Sequence, residues 1–139
     1  DVGSWSLDFS LYYSSGGDNF VATRNDDGTF EQPTKLEGLN VASARDSHPI
    51  IAPDGSAIYF ESLRDGDAGN VFVSARPDLS SEFSEPKALD GANSEYEDYP
   101  TWVSEDQCTL VIGSDRDGLD GLYDLFEARR TPPAKLPAR

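Results

Sequence analysis

The sequence carries one internal repeat in three copies, about 52 residues apart, and this most limits the folds open to it. A unit of that length buries its apolar face by stacking on its neighbours, so a row of similar units is expected. His48-Pro49-Ile50-Ile51-Ala52-Pro53-Asp54-Gly55 aligns with Tyr99-Pro100-Thr101-Trp102-Val103-Ser104-Glu105-Asp106 at an offset of 51. Ala57-Ile58-Tyr59-Phe60-Glu61-Ser62-Leu63-Arg64 aligns with Thr109-Leu110-Val111-Ile112-Gly113-Ser114-Asp115-Arg116 at an offset of 52. Asp18–Arg24, Asn70–Arg76 and Asp124–Arg130 are a set of three. Phe30-Glu31-Gln32-Pro33-Thr34-Lys35-Leu36 returns as Phe83-Ser84-Glu85-Pro86-Lys87-Ala88-Leu89, and the connector Leu36–Asn40 returns as Leu89–Asn93. Asp1–Ser4 falls where Asp46–Pro49 stands in the second copy. The copies divide a single domain at about 1–45, 46–96 and 97–139.

Each copy reads as four short strands. Asp54-Gly55-Ser56 separates two apolar runs, as Asp-Gly does between hairpin strands. Asp65-Gly66-Asp67-Ala68-Gly69 leads to a third run. The fourth segment carries Pro33 or Pro86, and proline has no donor for a central ladder, so this strand lies at an edge. No stretch has helical period. The runs Ile58-Tyr59-Phe60, Val71-Phe72-Val73 and Leu110-Val111-Ile112 are continuously apolar, the mark of strands covered on both faces. A two-sheet sandwich would show alternation instead. The fold class expected is all-β: propeller blades stacked radially, three four-stranded antiparallel repeats, with Phe20, Phe72 and Phe126 as equivalent buried residues beside Tyr59 and Val111.

Pro49-Ile50-Ile51-Ala52-Pro53-Asp54-Gly55-Ser56-Ala57-Ile58-Tyr59-Phe60-Glu61-Ser62-Leu63-Arg64 resembles the TolB-like β-propeller repeat, and Phe83-x-x-Pro86-x-x-Leu89 resembles its outer strand. The first copy has Leu7-Asp8-Phe9 for Pro-Asp-Gly and Ser15-Gly16-Gly17 for Ser-x-Arg; the third has Ser104-Glu105-Asp106 at the turn. The resemblance implies a ring of about six blades and a periplasmic or secreted location in bacteria. Closed propellers use about 4–8 blades. Three blades therefore leave three outcomes: half of a six-bladed ring closed by a homodimer, a fragment of a longer propeller, or an open arc.

The 139 residues include 26 acidic and 11 basic ones, a net charge of −15. That charge excludes a basic nucleic-acid surface and an anionic membrane partner. It is uneven: residues 1–128 hold all 26 acidic and 7 basic side chains, whereas Arg129, Arg130, Lys135 and Arg139 sit in a proline-rich end suited to docking on an acidic surface. The longest apolar stretch, Ala57-Ile58-Tyr59-Phe60, falls far short of the ~18 residues of a membrane span. The chain starts at Asp1 without a charged-then-apolar leader, so a processed or trimmed start is expected.

No catalytic constellation is legible, so no catalytic residue is assigned. His48 is the one histidine, no Gly-x-Ser-x-Gly is present, and Cys108 is the one cysteine, expected as an inert thiol. Arg64 and Arg116 in Ser-x-Arg are expected to pair with carboxylates and hold turns. Two stretches suit ligands. Glu95-Tyr96-Glu97-Asp98-Tyr99 and its counterpart Arg45-Asp46-Ser47-His48 feed the innermost strands at one rim. Arg45, Asp46, His48, Glu95, Tyr96, Glu97, Asp98 and Tyr99 are thus candidates to grip a cationic, peptide or small ligand. The turn Asp115-Arg116-Asp117-Gly118-Leu119-Asp120-Gly121, with Asp124, is oxygen-rich and suits calcium, although Leu119 breaks the EF-hand spacing. Otherwise no cofactor is expected. The readings open at this point are a binding or scaffolding propeller, an enzyme propeller with carboxylate acid–base residues in its channel, and a half-propeller built for assembly.

Overall fold

The computed structural model describes residues 3–6, 9–118 and 122–130. Its eleven strands are β1 (Gly3–Trp5), β2 (Leu11–Ser15), β3 (Asp18–Ala22), β4 (Thr34–Lys35), β5 (Asp46–Ile51), β6 (Ala57–Ser62), β7 (Asn70–Ala75), β8 (Lys87–Ala88), β9 (Asp98–Val103), β10 (Thr109–Ser114) and β11 (Asp124–Arg129). They form antiparallel meanders in the orders β1-β2-β3-β4, β5-β6-β7-β8 and β9-β10-β11. The two-residue strands β4 and β8 start directly after Pro33 and Pro86, as the missing donor requires. Residues 131–139, where a fourth strand of the third copy was expected, lie outside the described residues. Among the described residues no helix is long and apolar enough to cross a membrane.

The sheets stack face to face, with β2 and β3 against β5, and β6 and β7 against β9. Tyr12, with Val21, packs on Ile58, Phe60 and Phe72, joining the first sheet to the second. Tyr59, Val71 and Ile50 pack on Leu110, Ile112 and Val103, joining the second to the third. All six residues of β6 are buried, as its continuous apolar run requires. The outer sheets have one covered face each, so their burial alternates. This corrects part of the expected core. Phe72 and Tyr59 are buried, but Phe20 and Val111 are half-buried because they face away from the neighbouring sheet. Phe126 is half-buried on β11, which has no outer strand beside it among the described residues.

Strand register also corrects the alignment of the inner strands. Asp46 and Asp98 lie opposite Ser62 and Ser114, and Ile50 and Trp102 lie opposite Tyr59 and Val111. Ser47 lies opposite Glu61 and Tyr99 opposite Gly113, so Tyr99 matches Ser47 rather than His48. Each inner strand carries a bulge, between Ser47 and Ile50 in β5 and between Pro100 and Trp102 in β9.

The Ser-x-Arg signature is a structural clamp. Arg64 donates to Ser62 Oγ (2.8 Å), to the Leu39 carbonyl (2.5 Å) and to Asp46 Oδ1 (2.8 Å). Arg116 repeats this with Ser114 (3.0 Å), the Ala92 carbonyl (2.7 Å) and Asp98 Oδ1 (2.6 Å). Asp46 and Asp98 are fully buried, and their second oxygens accept the N–H groups of Val41 and Ser94. Buried charges persist only when paired and hydrogen-bonded in this way. The repeated connector asparagine acts as a short strand. Asn40 bonds both backbone groups of Asn19, and Asn93 both of Val71.

Candidate functional site

The site begins with a charge in an apolar strand. Glu61 lies mid-sheet in β6, between Ser47 of β5 and Val71 of β7, and is wholly buried. A carboxylate there needs partners. Ser47 Oγ donates to its Oε2 at 2.6 Å, His48 Nδ1 at 2.8 Å, and Arg45 donates to Oε1 at 2.7 Å. Burial alone would raise the Glu61 pKa. The hydrogen bonds from His48 and Ser47 and the Arg45 charge outweigh it and hold the group at about 2, below the usual 4.5. An ionised carboxylate only accepts, so Nδ1 of His48 carries the proton. Gly69 makes the room, since a Cβ there would sit 2.1 Å from Glu61 Oε1.

From this anchor the cluster extends to the third sheet. His48 occupies the bulge of β5 at φ 52°, the left-handed region, and its ring stacks on Tyr99 of β9 at 4.7 Å. Tyr99 covers Gly113, where a Cβ would lie 2.4 Å from the ring. Tyr123, ahead of β11, meets Tyr99 edge-on at 5.3 Å and donates to Glu97 Oε2 at 2.8 Å. Arg45 closes the loop by donating to Glu97 Oε1 at 3.0 Å. The bond to Glu97, aided by burial, pushes the Tyr123 phenol up to about 12; burial, then the charges of Glu97 and Glu61, raises that of Tyr99. The arrangement is a rigid shelf of three rings edged by carboxylates, with Tyr123 44% and Arg45 about half exposed.

The structure sorts the eight candidate rim residues. It brings Arg45, His48, Glu97 and Tyr99 together. Glu95 and Tyr96 are exposed on the connector beside them. Asp46 and Asp98 are corrected: both are buried in the arginine clamps, with their oxygens already engaged, so they belong to the framework rather than to the open rim. Sequence reasoning missed Glu61 and Tyr123. A lone carboxylate inside an apolar strand run was the available signal for Glu61; Tyr123 had none, because the fold alone brings it to Glu97. Of the calcium candidates, half-buried Asp115 accepts the Glu97 N–H at 3.0 Å, Asp117 and Asp124 are exposed, and Asp120 lies outside the described residues. Among the described residues no three metal-ligating side chains gather. Cys108 is half-buried beside Asp106.

Stacked antiparallel meanders of four, four and three strands among the described residues are those of β-propeller blades. No family model matches the sequence, and no curated protein matches it. Among solved structures the chain is similar to TolB from Acinetobacter baumannii, with 20% identity and a TM-score of 0.56. The match covers 93% of this chain and 29% of that one, so the chain spans under a third of TolB. The fold is therefore TolB-like.

Proposed function

We propose that this chain is a non-enzymatic binding module whose rim shelf grips a cationic ligand or peptide. The observation that supports this most is the preformed stack of His48, Tyr99 and Tyr123, edged by Glu97 and set in a chain of charge −15. Aromatic faces beside fixed carboxylates attract ammonium and guanidinium groups. The acid–base alternative is weaker, because Glu61 is wholly buried and both of its oxygens are already engaged by Ser47, His48 and Arg45. An envelope or extracellular location belongs to this reading through the resemblance of the repeats. Tri-lysine amide titrated into the protein should bind saturably. Tyr99→Ala or Glu97→Gln should weaken it about fivefold, the scale of one cation–aromatic contact. Equal binding by wild type and both variants in calorimetry would end this reading.

A second reading concerns assembly, and the open faces of the outer sheets favour it. Trp5 (54% exposed) shares its face with Leu11, Tyr13 and Phe20, and Trp102 (53%) shares its face with Val111 and Leu125. Such faces seek a neighbouring sheet. We propose that two chains join them into a six-bladed ring with two equivalent seams. Sedimentation equilibrium at micromolar concentration should then give twice the chain mass. A single-chain mass with a cooperative melt would rule the ring out.

A further inference from the structure

Both oxygens of Glu97, the carboxylate that edges the rim shelf, are already taken. Tyr123 donates to Oε2 at 2.8 Å and Arg45 to Oε1 at 3.0 Å. A cation that arrives at the shelf therefore meets the protein's own guanidinium in its place. The same nitrogen of Arg45, Nη2, also donates to Glu61 Oε1 at 2.7 Å, so it bridges one carboxylate of the second sheet and one at the edge of the third.

The two contacts of Arg45 are unequal. The Glu61 side chain is wholly buried, whereas that of Glu97 is 33% exposed and that of Arg45 48%. A partly exposed ion pair is weak, because water and salt compete for both charges. Of the two occupants of Glu97, Tyr123 is held edge-on against Tyr99 at 5.3 Å. Arg45 has only its flexible stem to hold it there. Its backbone is pinned: Leu63 donates its N–H to the Arg45 carbonyl at 3.1 Å, and the neighbouring Asp46 N–H donates to the Gly17 carbonyl at 2.8 Å. Movement is therefore left to the side chain. An open concavity of about 710 Å³, lined by Gly16, Gly17, Asp18 and Ser43, lies beside it between the connector and the β2–β3 turn.

We propose that Arg45 is a built-in competitor for the cation that the shelf binds. An incoming ammonium or guanidinium displaces it from Glu97 Oε1, cation for cation. Arg45 shifts toward the concavity and stays on Glu61, where leaving would strand a buried charge. An intramolecular cation is present at high effective concentration, so its occupancy lowers the affinity of the ligand. This inference rests on the cation-binding reading of the shelf.

The test is calorimetry with tri-lysine amide. Arg45→Gln should bind it about fivefold more tightly than wild type, the upper end for a partly exposed ion pair. In the Glu97→Gln background the same substitution should change affinity by less than about twofold, because the contested carboxylate is gone. A general effect of removing one positive charge would persist in both backgrounds. On wild-type protein, the side-chain nitrogen resonances of Arg45 in isotopically labelled samples should shift as tri-lysine amide saturates the site. Weaker or unchanged binding by Arg45→Gln, equal tightening in both backgrounds, or Arg45 resonances unmoved at saturation overturns the competitor and leaves the shelf as a binding site. No saturable binding by either wild type or Arg45→Gln ends both.

Discussion

Replacing Glu61 by alanine lowers the unfolding free energy by about 3–5 kcal/mol, the range for breaking a buried charge network at one member. The carboxylate is fully buried and receives Ser47, His48 and Arg45. Its removal leaves a buried hydroxyl without its acceptor, frees the imidazole that stacks on Tyr99, and opens a void in β6. The midpoint of urea unfolding should move with the slope unchanged. Stability also depends on pH with a definite sign. The folded pKa of Glu61, about 2, lies below the usual 4.5, so its contribution is complete above pH 4.5 and drains as the pH falls toward 2. That difference corresponds to roughly 3 kcal/mol. Glu61→Ala should therefore flatten the acid limb of the stability profile. A variant with the wild-type profile between pH 5 and 2 would show that the ion-pair network contributes nothing.

Truncating Phe72 to alanine should cost about 3–5 kcal/mol, the usual loss for a phenylalanine in a well-packed core. Its ring stacks on Phe60 at 6.1 Å, lies under Arg64 at 4.8 Å, and belongs to the cluster that joins the first two sheets. Phe20→Ala is the internal control. It stands at the same repeat position, on the open face of the first sheet, stacked only on Tyr13 at 5.8 Å. Its cost in the isolated chain should be less than half that of Phe72→Ala. Equal costs, measured by chemical denaturation below the concentration of any self-association, would mean that the first sheet is covered on both faces.

The strand pattern was legible because its causes are local. Apolar runs of three or four residues, Asp-Gly turns and Pro33 and Pro86 each act within a few residues of themselves. The structural part of Arg64 and Arg116 was also legible, because a cation two residues beyond a strand serine, twice at one spacing, has carboxylates close by. The register of the inner strands was not. A bulge adds a residue without changing composition, so His48 aligned with Tyr99 although Ser47 is the residue that stands where Tyr99 stands in the ladder.

Repetition by itself determined that this chain forms antiparallel blades that stack, since a unit of about 52 residues must share its core with the next. Tertiary structure alone decided what each carboxylate does. Asp46, Asp98, Glu61 and Glu97 all lie in or beside inner strands, yet two are locked in arginine clamps, one anchors the shelf from inside, and one edges it. The difference rests on burial and on partners 16 to 52 residues away in sequence. A charge is tuned by what surrounds it in space, and no local pattern encodes those neighbours.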